Sequence, residues 1–447
     1  MFKFFLSRSK ALLKEKRFVF PAQNAAELIP AWSSYLTDCC PVLGKWFVNG
    51  LVRIFYGNRL FLRWAYRRQR SVAAREKIPG PILVVADLNI GDAINLQVAC
   101  TTLKQLFPDR KIHYAINHKA FGMLTHHPDI DRVIPIFSGA AIPTDEDIVK
   151  LNEISGQSDY TLIFNFCPFF TSETFSESGA SVLNHYPLTM EIANNELRGK
   201  PVHHLRPKIF HYLTLLFPEA TQKYHPVLKD AAVYLDEESM GIARAFLKEH
   251  GLLGKEKLVL FNPDATSRYT RFPKTEQIRL LENLLKSETV VHLLLGSGFV
   301  FQHVEQELLQ KLGTDLAQKV TIIPKIFSLE TYAALIDACD LYVTNDTGPL
   351  HIAATRKNTH DRHPLRNRTA VYAIFGATPA HIYAYDSTGE LYFPAPQDAP
   401  SRVFVSESKC RNVTCVNKLS KKCKTVRCFD GLNPELMADE MIRYLKN

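Results

Sequence analysis

The chain has 447 residues, 46% hydrophobic and 22% charged, a globular composition that excludes a disordered or fibrous protein. Its length exceeds what one ordinary core fills and calls for two domains with additions, and with no run of about 18 apolar residues no membrane span is expected. The net charge of +9 is concentrated: residues 1–80 hold 15 Lys+Arg against 4 Asp+Glu, a net of +11, leaving −2 on the remainder. A nucleic-acid binder usually spreads its charge over a folded face, so no nucleic-acid partner is expected.

Residues 1–79 come first, as a basic, aromatic-rich N-terminal extension. Lys3, Arg8, Lys10, Lys14, Lys16 and Arg17 accompany Phe2, Phe4, Phe5 and Leu6. Arg59, Arg63, Arg67, Arg68 and Arg70 share a stretch with Phe61, Trp64 and Tyr66. Such mixtures suit an anionic membrane surface, at about 1 kcal/mol per apposed cation. They suit a solvated helix packed on the body equally well. The N-terminus lacks a sustained apolar core and a small-residue cleavage site, so no secretory signal is expected. The breaker cluster Ile78-Pro79-Gly80-Pro81 marks a boundary.

The pattern then changes to short apolar runs alternating with helical periodicity. Strands are predicted at 82–86, 111–116, 133–136 and 160–166, with a helix over 92–107. After a less regular stretch the alternation restarts, with strands at 257–261, 290–295, 320–323, 341–344 and 370–375. Helices are predicted at 236–251, 275–285, 304–312, 329–339 and 349–355. This alternation predicts two parallel, Rossmann-like α/β domains, 80–235 and 236–395. A Cys-containing tail, 396–447, ends in a helix over 433–445 that could pack across both halves.

Three segments at predicted strand ends carry chemistry. In the first, Asp87-Leu88-Asn89-Ile90-Gly91-Asp92, Gly91 permits a tight turn and the opening helix presents N–H groups to an anion. Asp92 reads either as a helix cap or as a reactive carboxylate. In the second, Asn345-Asp346-Thr347-Gly348-Pro349-Leu350-His351, backbone N–H groups of Thr347 and Gly348 suit a diphosphate. Pro349 fits the first helical turn, and His351 lies one turn in. Asp346 could bond sugar hydroxyls or cap the helix. The third, 262–273, brings Thr266, Ser267, Arg268 and Arg271 to the same sheet edge, and Arg is a bidentate phosphate partner. Ligands bind at such strand ends in open α/β sheets.

Taken in this order, the segments resemble the ADP-heptose:lipopolysaccharide heptosyltransferases of glycosyltransferase family 9. GDAINLQVACTTLKQLFP, HPDIDRVIPI, TNDTGPLHIAA and IFGATPA are each similar to a family element, and the resemblance spans roughly residues 80–445. It implies a GT-B fold, two Rossmann-like domains facing a central cleft, here with a basic N-terminal helical extension. It implies a cytoplasmic, metal-independent, inverting enzyme with an anionic glycolipid acceptor of lipopolysaccharide core or lipid A type on the first domain. The nucleotide-sugar, an ADP-sugar, would lie on the second. Asp92 falls on the general-base position, beside Asn89 and Gly91 in the acceptor-side loop. Arg271 falls where a cation steadies the departing diphosphate. Thr266, Ser267, Asp346, Thr347, Gly348 and His351 fall on donor-binding positions, and Glu305 on a looser match toward the ribose. With the basic extension, the resemblance implies a peripheral place on the inner face of the bacterial inner membrane.

Two features depart from the family. The extension 1–79 is unusual, and the basic stretch 356–368 looks like an insertion. Another nucleotide-sugar or a protein acceptor therefore stays open, as does a silent glycan- or membrane-binding protein. An epimerase on the same fold fits the Gly-Asp and Asp-Thr-Gly-Pro-x-His pairing poorly. In the tail, Cys410, Cys415, Cys423 and Cys428 could hold structural zinc or iron, form two disulfides or remain thiols. Nine cysteines cannot all pair within the chain. Cys39, Cys40, Cys100, Cys167 and Cys339 are expected to be reduced core residues.

Overall fold

A computed structural model describes residues 59–74, 80–86, 89–137, 143–167, parts of 170–195, 204–296, 304–356, 369–386, 400–406 and 426–447. The expectations for residues 1–58 and for the basic stretch 357–368 lie outside these.

Helix α1 (Arg59–Ala73) precedes β1 (Ile82–Val85), α2 (Ile90–Leu106), β2 (Ile112–Asn117), β3 (Arg132–Phe137), α3 (Asp145–Gln157), β4 (Leu162–Asn165) and β5 (Ser181–Asn184). Helices α4 (Leu205–Leu216), α5 (Pro218–Tyr224) and α6 (Glu237–Glu249) lead to the second series. That series runs β6 (Leu258–Asn262), α7 (Lys274–Lys286), β7 (His292–Leu295), α8 (Val304–Lys311), β8 (Val320–Ile322) and α9 (Leu329–Asp337). It continues through β9 (Leu341–Asn345), α10 (Gly348–Arg356), β10 (Ala370–Phe375), α11 (Ala380–Tyr383), β11 (Ser401–Val405) and α12 (Pro434–Lys446).

The strands form two wholly parallel sheets, in the orders β3-β2-β1-β4-β5 and β11-β10-β9-β6-β7-β8. Strands such as Ile82–Val85 and Leu258–Asn262 are buried on both faces, so their apolar runs are continuous rather than alternating. Strand order reverses between β1 and β4 and again between β6 and β9. The segments after β1, β6 and β9 are the three singled out in the sequence, so all three lie at the crevices where such sheets bind ligands. One apolar cluster runs from the first unit (Val84, Ile94, Val98, Leu213) into the second (Leu260, Leu350, Ile352, Tyr385). The two units therefore share a core along α2 and α10.

The structure extends the sequence reading at several points. Strand β10 does not close its sheet, because β11 pairs parallel to it at the edge. Strand β5 is short and half polar, Ser-Val-Leu-Asn, and gives no apolar run. Helix α3 begins with a capping box: Thr144 Oγ1 accepts from the Asp147 N–H at 3.1 Å, and Asp147 Oδ2 accepts from the Thr144 N–H at 2.8 Å. Helix α12 packs on the second unit. Its Met437, Ala438, Met441 and Leu445 join Leu280, Leu281 and Leu284 of α7 in one cluster, and Arg279 pairs with Glu435 at 2.6 Å.

Helix α1, from the basic extension, is docked on the first sheet. Ala65 and Ala73 are buried. The Tyr66 hydroxyl donates to Glu191 Oε2 at 2.5 Å, and Gln69 Oε1 accepts from the Asn184 N–H of β5 at 3.1 Å. The opposite face leaves Leu60 72% and Trp64 45% exposed, alongside exposed Arg63, Arg67, Arg68 and Arg70. Among the described residues no helix is long and apolar enough to cross a membrane.

Gln69 is 3% exposed, and Gln69→Leu would leave the Asn184 N–H without this acceptor. Denaturant unfolding should show a loss of about 1–3 kcal/mol; an unchanged midpoint would mean that the docking of α1 does not depend on this bond.

Candidate active site between the two sheets

Helix α2 starts from Asn89, an extended N-cap residue whose side chain makes no cap. Its amide instead donates to Asp92 Oδ2 at 2.9 Å. Asp92, three residues into the helix, is half-buried. Burial pushes its carboxyl pKa upward, with the Asn89 bond acting in the opposite direction.

Across the crevice, β9 delivers Asp346, Thr347 and Gly348 to the start of α10, all three half-buried. Asp346 is pushed up to about 6, chiefly by burial; Thr378 hydrogen-bonds it in opposition, while the charge of Asp92 adds to the rise. Asp92 and Asp346 thus confront each other from opposite units. The two helix starts meet through glycines. A Cβ on Gly91 would lie 2.5 Å from His351 Cδ2, and one on Gly348 would lie 3.4 Å from Ile90 Cβ. First-turn N–H groups have no intrahelical acceptor, so two positive helix ends and two carboxylates face one crevice.

The loop after β6 is tied to the same place. Asn345 Oδ1 accepts from the Phe272 N–H at 2.8 Å, and Asn345 Nδ2 donates to Asn262 O at 3.0 Å. Buried Gln277 donates to Pro263 O and Phe272 O at 2.9 and 2.7 Å. The Ala377 N–H donates to Tyr269 O at 3.0 Å, an approach that requires Gly376, since a Cβ there would overlap that carbonyl oxygen. Arg271 is held by Asp264, 2.7 Å away and 5% exposed, a partner not anticipated from the sequence. Thr266 is exposed and Ser267 half-buried, with Ser267 Oγ accepting from the Tyr269 N–H at 3.2 Å.

Asn89, Gly91, Asp92, Asp346, Thr347, Gly348 and His351 therefore share one crevice. Thr266, Ser267 and Arg271 stand on the neighbouring loop. Glu305 lies farther along the sheet, in the first turn of α8 beyond β7, and is buried; the Tyr332 hydroxyl's pKa is pushed up chiefly by burial and then by Tyr342, with the Glu305 charge adding last. Cys428 is buried in the second unit's core beside Phe429, while Cys410, Cys415 and Cys423 lie outside the described residues. Among the described residues no three His, Cys, Asp or Glu side chains cluster to hold a metal. Cys100, Cys167 and Cys339 are buried, as expected.

Sequence reasoning missed a polar network behind the crevice. The fully buried Arg206 of α4 donates from Nε to Asn95 Oδ1 at 2.9 Å and from Nη2 to the Tyr385 hydroxyl at 2.8 Å, and pairs through Nη1 with Asp230 at 2.5 Å. Its guanidinium lies 5.1 Å from the centre of the Tyr385 ring. His351 Nδ1 faces Asn95 Nδ2 at 3.2 Å and the Tyr385 hydroxyl at 2.9 Å. Burial first, then the Arg206 charge, lowers the His351 pKa to about 3. Partners 24 to 290 residues apart leave no local motif.

The glycine contacts predict graded effects. Gly91→Ala should force the two units apart and enlarge the radius of gyration in small-angle scattering, and Gly348→Ala should do so less; an unchanged Gly91→Ala profile would contradict the contact. For Asp346, a folded pKa raised to about 6 favours the folded state while the group is protonated, and that contribution is lost as pH rises through 6. Asp346→Asn should thus be more stable than the parent by about 1–2 kcal/mol at pH 8 and nearly equal at pH 4. Thermal unfolding at the two pH values checks this.

Residues 200–359 match the model of glycosyltransferase family 9 (heptosyltransferase). The chain is 24% identical over 307 residues to lipopolysaccharide heptosyltransferase 1 of Campylobacter coli, covering 66% of this chain and 84% of that protein. The fold superposes on the glycosyl transferase family 9 structure from Veillonella parvula with a TM-score of 0.61 at 17% identity, covering 83% of this chain and 99% of the other. It superposes on E. coli ADP-heptose lps heptosyltransferase II with a TM-score of 0.55 at 17% identity, covering 82% and 98%. With its two facing parallel α/β units and the polar crevice between them, the chain shares the fold of these glycosyltransferase family 9 structures, and its residues 200–359 are similar to that family.

Proposed function

We propose that the protein is an inverting, metal-independent glycosyltransferase that moves heptose from an ADP-heptose donor to a lipopolysaccharide core or lipid A-type acceptor, with Asp92 as general base. The observation that carries this reading is the Asp92 carboxylate, raised in pKa and set against the start of α10 across the crevice. Relatives named as heptosyltransferases support the choice of sugar.

In this reading the acceptor binds on the 80–235 side and the nucleotide-sugar on the 236–395 side. Asp92 removes the acceptor hydroxyl's proton as that oxygen attacks the anomeric carbon from the face opposite the diphosphate. The bond to the diphosphate oxygen breaks, and its electron pair leaves with the nucleoside diphosphate. Thr347, Gly348 and the α10 N-terminus bind that diphosphate with His351, while Arg271, oriented by Asp264, stabilises its developing charge. Asp346, Thr266 and Ser267 bond donor hydroxyls or phosphate oxygens, and Glu305 lies toward the nucleoside. A carboxylate with elevated proton affinity is a stronger base than an ordinary aspartate.

The exposed Leu60 and Trp64 of α1, flanked by Arg63, Arg67 and Arg70, support a peripheral contact with the anionic inner face of a membrane, where a glycolipid acceptor resides. The enzyme would then act from the cytoplasmic side.

Turnover of ADP-heptose with a lipid A-type acceptor tests the reaction. Asp92→Asn should lower the rate by about 10²–10⁴-fold while ADP still raises the melting temperature; full turnover by this variant would remove Asp92 as the base. Because the Asp92 pKa is raised, the parent's rate should fall on acidification at a pH above the usual carboxylate range of about 4. Arg271→Ala should weaken stabilisation by ADP. Selective stabilisation by UDP or GDP would overturn the ADP-sugar assignment.

A further inference from the structure

The network behind the crevice determines where His351 carries its proton. Arginine has only N–H donors, so the Asn95 atom that meets Arg206 Nε at 2.9 Å must be the carbonyl oxygen. The other terminus of that amide, 3.2 Å from His351 Nδ1, is then the NH₂ group. An amide NH₂ only donates, so Nδ1 must offer a lone pair. The Tyr385 hydroxyl accepts from Arg206 Nη2, which leaves its single proton for Asn95 Oδ1 or for His351 Nδ1. Either choice is compatible with an unprotonated Nδ1. The neutral ring therefore carries its proton on Nε2, the nitrogen that would lie 3.1 Å from a Cβ on Gly91. Burial and the Arg206 charge, which lower the ring's pKa to about 3, agree with a ring that stays neutral.

We propose that Asn95, Arg206 and Tyr385 are positioning residues that lock His351 as its Nε2–H tautomer, so that it presents a neutral N–H donor to the crevice. Asn95 and Arg206 belong to the first unit, and His351 and Tyr385 to the second. The lock is complete only when the two units are apposed as they are here, which couples closure of the crevice to readiness of the donor. The consequence for ligand binding rests on the proposed reading of His351 as a diphosphate contact. A neutral donor gives a phosphate oxygen a hydrogen bond without a full counter-charge. It also fixes the bond's direction, which a ring free to exchange tautomers would not.

The test is ¹⁵N spectroscopy of the full chain labelled at histidine, with the His351 signals identified by their loss in His351→Gln. At neutral pH the parent should show a protonated Nε2 and an unprotonated Nδ1. A protonated Nδ1, or averaging of the two forms, overturns the inference without recourse to any variant. Asn95→Asp replaces the NH₂ donor by an acceptor and should move the proton to Nδ1; a pattern identical to the parent's would also overturn it. Tyr385→Phe keeps the Asn95 bond and should retain the Nε2–H form. In turnover assays Asn95→Asp should lower kcat/KM for the nucleotide-sugar by about 10- to 100-fold. ADP should shift the Nε2 signal and leave Nδ1 nearly unmoved. Absence of an Nε2 response to ADP, with the tautomer as expected, would refute the diphosphate reading and leave the positioning role supported.

Discussion

The guanidinium of Arg206, taken entirely out of water, is the constraint around which the two units are arranged. A charge in that position requires a counter-charge and a full set of acceptors. Asp230, on the connection between the units, supplies the first. Asn95 of α2 and Tyr385 of the second unit supply the rest. Apolar contact alone, such as the shared cluster along α2 and α10, would tolerate sliding of one unit over the other. The directional bonds of Arg206 do not, because a shift of an ångström or two would strand a buried donor. The arginine thereby converts a general affinity between two apolar faces into one register, and that register brings the starts of α2 and α10 together.

What that apposition creates is an unusual electrostatic environment. Two helix starts point their positive ends into one crevice, and each carries a carboxylate within reach of the other's field. The half-burial of these acids opposes ionisation, and the helix ends favour it. The balance leaves acids whose protons are held more tightly than an ordinary aspartate's, in a crevice whose backbone attracts anions. Glycine at positions 91 and 348 is the steric condition for this. Any side chain at Gly91 would occupy the space of the His351 ring.

Much of this arrangement is legible in the sequence, for a physical reason. Parallel strands buried on both faces must be continuous apolar runs, so β1, β6, β9 and β10 stand out. The residues after them, from Asn89 to Asp92 and from Asn345 to His351, follow directly in the chain. The less visible elements lack that signature. Ser181–Asn184 is half polar and short, and α4 carries Pro207 in its first turn and no acidic residue there. Helix α3 had a usable signal in Thr144 and Asp147 and could have been found. The pairing of Arg271 with Asp264 needed only the loop's own residues, yet nothing in the sequence ranked Asp264 above its neighbours. The network of Asn95, Arg206 and Tyr385 was not legible at all, since it exists only where three distant segments converge.

Helix α1 has a further consequence for the solution behaviour of the protein. Strand β5 ends the first sheet, and an end strand presents unpaired backbone groups on which another chain can build. Here the Asn184 N–H is taken by Gln69 and the Asn184 carbonyl oxygen by the Tyr212 hydroxyl at 2.7 Å. The helix of the basic extension thus acts as a guard on the sheet's open margin, placing cationic side chains outward where a stray strand would have to approach. A shortened protein starting at the first strand would keep the crevice between its units and lose this guard. Its weakness would then appear as self-association rather than as altered chemistry.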